Sequence, residues 1–135
     1  MTVVDAGTLC HALAGAPTED LASLRRRLSH PLSAPTHIDL EVCSVIRRYV
    51  LAREISEQVG SRLLGDFTAM PLRRHDLTPL LPRVWELRDN LTPYDAAYVA
   101  LAEQTGSVLL TSDHRVANAP GTRCEIEVWP VPPDL

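Results

Sequence analysis

Three aspartates stand where a short apolar strand ends or a helix begins: Asp5 after TVV, Asp95 in LTPYDAAYVALAE, and Asp113 after SVLLTS. A fourth acid, Glu41, lies in the amphipathic stretch HIDLEVCSVIRRYVL. In a parallel sheet the carboxyl ends of the strands open onto one crevice, where ligands collect. Carboxylates delivered there from distant segments are the oxygen donors that hard cations take, and Mg²⁺ is usually held by one or two of them together with substrate phosphates. The chemistry these residues point to is hydrolysis of a phosphodiester with Mg²⁺ or Mn²⁺ as the ion.

Each acid also has a purely structural explanation. Asp5 and Asp113 can cap the helices that follow them, because Asp leads at such positions. Thr92-Pro-Tyr-Asp95 fits a capping box, in which the carboxylate reaches back to the amide of the cap residue. Glu41 has no capping role within its helix and by angle borders the apolar face. Asp39 borders the opposite edge of that face, and periodicity does not choose between the two. Capping does not require acids from four segments to converge, whereas a metal site does.

The elements that must position these residues follow from the pattern of apolar and breaking residues. Residues 2–5 read as a short buried strand and 7–13 as an apolar helix, with a turn at 15–17. Thr18 caps a helix through LASLRRRL that places Leu21, Leu24 and Leu28 on one face. A very short strand at 32–34 is ended by Pro35. The helix expected over 37–53 turns Ile38, Val42, Val45, Ile46, Tyr49 and Val50 inward. Another helix begins near Ser56 and stops before Pro71; a strand at 71–74 and a proline-initiated helix at 79–89 follow. The segment LTPYDAAYVALAEQTG is the most regular, with a threonine cap, proline at the first helical position and a terminal glycine. SVLLT is a buried strand, 113–118 a short helix, and CEIEV a last strand. Pro130, Pro132 and Pro133 keep the tail from continuing a central strand. Strands alternating with helices imply a parallel sheet covered on both faces, and 135 residues suffice for a single domain over 1–135.

Composition narrows the function further. No apolar run approaches the roughly 20 residues of a membrane span, and no leader pattern opens the chain, so a cytoplasmic protein without membrane contact is expected. The three cysteines form no closely spaced pair, so Cys10 and Cys43 read as buried free thiols rather than zinc ligands or a disulfide. All 13 basic residues are arginine. Without lysine there is no P-loop, and phosphoacceptor receiver domains and haloacid-dehalogenase-like phosphatases, which rely on one, are excluded as well. The net charge of −4 does not advertise nucleic-acid binding, but a bound cation would offset the four clustered acids. The arginine clusters at 25–27, 47–48 and 73–74 are candidate phosphate contacts, competing with the plainer reading of solvated surface.

The strings VVDAGTLCHAL, APTHIDLEVCSVIRR, LRDNLTPYDAAYVALAE and LLTSDHR, in this order and spacing, resemble the PIN-domain family, and within it the VapC-type toxins of toxin–antitoxin pairs. The resemblance implies a three-layer α/β/α sandwich with a short central parallel sheet and a Mg²⁺- or Mn²⁺-dependent ribonuclease site. It places the family's acidic quartet on Asp5, Glu41, Asp95 and Asp113, and so selects Glu41 over Asp39. It also implies an RNA substrate, a cognate antitoxin that occupies the pocket, and a homodimer. One departure stands out: a serine is frequent two residues after the first aspartate, where this chain has Gly7 followed by Thr8. Thr111 matches a small hydroxyl common in the family and is expected to support the ligands. A PIN-like module that binds protein or RNA without catalysis is the main alternative. A structure-specific DNA nuclease ranks behind it, because such enzymes carry extra DNA-binding segments.

Overall fold

A parallel sheet at the centre of the chain fixes where ligands can bind. A computed structural model describes residues 1–15 and 18–129. Its strands are β1 (Thr2–Val4), β2 (Leu32–Pro35), β3 (Leu72–His75), β4 (Val108–Thr111) and β5 (Ile126–Val128). They lie in the order β3-β2-β1-β4-β5, every pairing parallel. The chain therefore steps outward from β1 to β3, then returns to the far side of β1 for β4. The carboxyl ends of β1 and β4 flank the point where the strand order reverses, and α/β sheets leave a crevice there.

The intervening helices are α1 (Ala6–Ala14), α2 (Glu19–Arg27), α3 (Ile38–Leu51), α4 (Glu57–Ala69), α5 (Leu81–Glu86), α6 (Pro93–Thr105) and α7 (His114–Ala117), with a 3₁₀ turn at Thr78–Leu80 before α5. Right-handed crossovers of opposite direction put them on opposite faces. On one side α1 packs on α3, and α3 on α4; on the other, α6 lies across β1, β2 and β4 with α5 against it. The result is the expected three-layer α/β/α arrangement. Strands β1 and β2 are buried along their length and β4 from Leu109 onward, and they are correspondingly apolar. Ala96 to Ala102 of α6 are all buried, and the alanines let this helix sit close to the sheet. β3, at the edge, carries Arg73 and Arg74, the charged pattern that discourages further strand pairing.

Most elements expected from the sequence are present, with some differences. Strand β1 ends at Val4, because Asp5 caps α1 instead of extending the strand. Strand β2 runs on to Pro35, which pairs with His75 as its last residue, where no further ladder amide is needed. The helix expected over 79–89 is split: Pro79 starts the 3₁₀ turn and Pro82 restarts the chain as α5, each lacking an amide to donate. Val45, Tyr49 and Val50 of α3, expected to turn inward, are half-buried. Cys10 is buried as expected, but Cys43 is exposed, lying on the outer side of α3 beside Val42. Two residues of the turn at 15–17, Ala16 and Pro17, and the proline tail from Pro130 lie outside the described residues. No described helix is long and apolar enough to cross a membrane.

Candidate active site

A cleft of about 410 Å³ opens at the switch point and is lined by Asp5, Glu41, Asp95 and Asp113, with Arg48, Tyr94, Tyr98 and Ser112 also in its wall. The four acids named from the sequence thus face one space, although they come from the starts of α1, α3, α6 and α7. Asp39 does not line this cleft. Its carboxylate takes a 2.7 Å hydrogen bond from Arg74 Nε on β3, so the structure separates the two edges that helical periodicity left equivalent.

Asp5 sits where β1 passes into α1. Its backbone amide continues the sheet by donating to Leu110 O at 3.1 Å, and its side chain turns back to accept Thr8 N–H at 2.9 Å. The second carboxylate oxygen accepts a short hydrogen bond from the Thr111 hydroxyl at the end of β4. Burial pushes the Asp5 carboxyl above its ordinary range, and the Thr111 and Thr8 donors pull back only in part.

Thr111 joins two acids. Its oxygen also accepts the backbone amide of Asp113 at 3.0 Å, so one buried hydroxyl holds Asp5 and the start of α7 together. Asp113 caps α7 through Arg115 N–H at 2.8 Å, and the Arg115 guanidinium grips it with two further contacts of 3.2 and 2.8 Å. Those Arg115 bonds hold the Asp113 carboxyl below the usual carboxylate range. Arg115 is exposed, as expected, whereas His114 is half-buried.

Asp95 was expected to close a capping box on the amide of Thr92. Thr92 does cap α6, accepting the Asp95 amide at 3.3 Å, but the Asp95 carboxylate meets the Thr92 hydroxyl at 3.3 Å instead. The carboxylate therefore stays at the cleft wall. Burial raises its proton affinity, and the charge of Asp113 raises it further.

Glu41 stands in the first turn of α3. The Tyr98 hydroxyl donates to its Oε1 at 2.7 Å, and His37 Nε2 lies 3.2 Å from the same oxygen while also 3.1 Å from the Tyr94 carbonyl. The His37 ring packs against Tyr98, 5.1 Å between centroids. Burial favours the neutral acid, but the His37 and Tyr98 hydrogen bonds outweigh it and keep Glu41 below its ordinary value.

Tyr98, His37 and Ser112 were not singled out by the sequence reading. His37 is four residues before Glu41 and Tyr98 three after Asp95, spacings that share a helix face and would have pointed to both. Of the arginine clusters, Arg48 alone among the described residues reaches the cleft; Arg25, Arg27 and Arg74 are bonded elsewhere, to Ala12 O, Glu127 and Asp39.

The donor set suits a hard, hydrated cation, but it is not a closed cage: among the described residues no three His, Cys, Asp or Glu side chains stand close enough together to hold a metal ion. Mg²⁺ does not require such a cage, since it keeps several waters and takes substrate phosphate oxygens. Four carboxylates around a space, each with its own orienting donor, meet that requirement.

The model of the PIN domain family matches residues 2–121. Ribonuclease VapC12 of Mycobacterium tuberculosis is 38% identical over 128 residues, spanning 95% of this chain and 98% of the relative. Ribonuclease VapC1 of the same organism is 42% identical over 128 residues, spanning 93% and 96%. A toxin–antitoxin complex from Klebsiella pneumoniae shares the fold, with a TM-score of 0.65 over 95% of this chain and 97% of that one at 16% identity. The chain belongs to the PIN domain family, and its relatives there are VapC ribonucleases.

Proposed function

We propose that the chain is a Mg²⁺- or Mn²⁺-dependent ribonuclease and the toxin of a toxin–antitoxin pair. The observation that carries this reading is the convergence of Asp5, Glu41, Asp95 and Asp113 on one cleft at the carboxyl ends of β1 and β4. Relatives named ribonucleases, at 38–42% identity over nearly the full chain, support RNA as the substrate.

Asp5, Asp95 and Asp113 would hold the ion directly or through water, and Glu41 would complete the pocket. When bound, the ion supplies an activated water, orients the phosphate and neutralises developing charge. The protein's part is to aim the donors and, at Glu41 and Asp113, to hold the carboxylates ionised. Thr111 sets Asp5 and the start of α7 in one arrangement. Tyr98 and His37 keep Glu41 charged and turned to the cleft, where it can accept a proton from the attacking water. Arg48 offers a cation to the backbone of an RNA strand lying across the opening.

The proposed partners are an antitoxin and a second copy of the chain, in the cytoplasm. Without metal the acidic cleft would attract an arginine from the antitoxin, through charge-assisted hydrogen bonds. The intrachain Arg115–Asp113 pair, at 2.8 Å, supports the view that a carboxylate of this site accepts a guanidinium.

Purified, antitoxin-free protein is expected to cut total cellular RNA into discrete fragments with Mg²⁺ or Mn²⁺, but not with EDTA or after Asp5→Ala. Failure of the folded wild-type protein to cut under any condition would favour a PIN-like binding module without catalysis.

A further inference from the structure

Beside Asp5, the chain leaves a position without a side chain, and the hydroxyl of another residue fills it. A Cβ placed on Gly7 would stand 3.9 Å from Asp5 Oδ1 but only 2.7 Å from Ser112 Oγ, closer than such atoms approach. A side chain at position 7 and Ser112 as it stands therefore exclude each other. Thr8, the next hydroxyl along the chain, is fully buried and does not line the cleft. Ser112 does line it, in company with all four acids.

Three hydroxyls nearby are engaged with the acids, whereas the buried Thr8 Oγ1 has no partner among the described residues. Thr111 bonds to Asp5 and to the Asp113 amide, Thr92 to Asp95, and Tyr98 to Glu41. Among the described residues, Ser112 Oγ takes no part in the hydrogen bonds that orient the four carboxylates. It is half-buried, faces the cleft and can both donate and accept.

We propose that Ser112 is a positioning residue of this cleft, its hydroxyl holding a water of the divalent ion from the space a side chain at position 7 would occupy. This rests on the metal-dependent reading given above. An ion bound by few carboxylates keeps water ligands, and fixed outer hydroxyls decide where those waters point. Gly7 then leaves that space to the Ser112 hydroxyl.

The test is calorimetric titration of the metal-free full-length chain with Mn²⁺, without RNA, with melting curves to show that each variant is folded. Ser112→Ala is expected to weaken Mn²⁺ binding about 10-fold or more, within the roughly 10–100-fold loss typical for an outer partner of a metal ligand. Gly7→Ser alone should also weaken binding, since the new side chain displaces the Ser112 hydroxyl from its place. Gly7→Ser combined with Ser112→Ala should recover most of the affinity, the hydroxyl now coming from position 7. Unchanged affinity in Ser112→Ala, or a double variant no better than the single ones, overturns the proposal; if Asp5→Ala has lost binding, the metal-dependent reading survives. A folded wild-type chain that binds no Mn²⁺ removes that reading and the role of Ser112 together.

Discussion

The Tyr98 hydroxyl donates to Glu41 Oε1 across 2.7 Å, joining residues 57 positions apart and tying α6, on one face of the sheet, to the start of α3. The bond stabilises the ionised carboxylate against the burial that would otherwise neutralise it. Tyr98→Phe removes only this oxygen. It is expected to cost about 1 kcal/mol of stability, the usual net worth of one hydrogen bond, and to slow RNA cleavage about 10-fold, as for other outer partners. Nuclear magnetic resonance titration should find Glu41 protonating at a higher pH in the variant. Unaltered cleavage would reduce Tyr98 to a packing role.

Thr111 is buried and serves two acids, so its loss should be felt twice. Thr111→Val keeps the shape but strands an Asp5 oxygen and the Asp113 amide. The expected destabilisation is about 1–3 kcal/mol, the range for unsatisfied buried groups. Thr111→Ser retains the hydroxyl and should stay near wild type. Urea denaturation of the two variants, side by side, separates loss of the hydroxyl from loss of the methyl group.

Asp95→Asn should remove most RNA cleavage and leave α6 intact, because Thr92 caps the helix through the backbone amide of residue 95, which the substitution retains. Circular dichroism checks the helix and a cleavage assay the chemistry. Wild-type cleavage at saturating Mg²⁺ would mean that Asp95 has no part in catalysis.

Stability of the metal-free chain should depend on pH with a sign that differs between acids. Asp5 and Asp95 have carboxyls raised above 3.8, so between 3.8 and their raised values the folded state binds more protons than the unfolded one. Stability from these two therefore falls as pH rises through that interval. Glu41 and Asp113 are lowered, and act the opposite way: their contribution is present above 4.5 and 3.8 and is lost as pH falls through the lowered values. Asp95→Asn should thus equal wild type well below 3.8 and become the more stable protein as pH rises to neutrality. Urea denaturation of both proteins across this range gives the difference directly, and a difference that does not grow with pH would contradict it.

Arg115 holds Asp113 with three contacts, yet its side chain is 85% exposed, so solvent screens the pair. Arg115→Ala should leave the melting temperature nearly unchanged and free Asp113 for a cation. Mn²⁺ affinity equal to or tighter than wild type is the expected result; weaker binding would show that Arg115 orients Asp113 for the ion.

What the sequence determined by itself was everything set by near neighbours. Helix α6 was legible from the Thr92 cap, Pro93 and the left-handed Gly106, and the central strands from unbroken apolar runs bounded by breakers. The acids at these junctions could be named for the same reason, since a strand end or a helix start is marked within a few residues. Their capping roles were legible too: Asp5 and Asp113 do cap α1 and α7 while facing the cleft, so one position serves both local structure and the site.

Tertiary structure decided what depends on segments far apart. Glu41 and Asp39 are equivalent on a helical wheel; the family resemblance selects Glu41, but the physical reason is tertiary, since β3 brings Arg74 to Asp39. Cys43 read as buried because its neighbours are apolar, but α3 turns that position outward. Tyr98 could be a core aromatic until Glu41 is seen against its hydroxyl, and Gly7 an absent side chain until Ser112 is seen above it. The physical reason is range. Caps, turns and periodicity act over three or four residues, whereas the partner and orientation of a side chain are set by whichever strand or helix packs beside it.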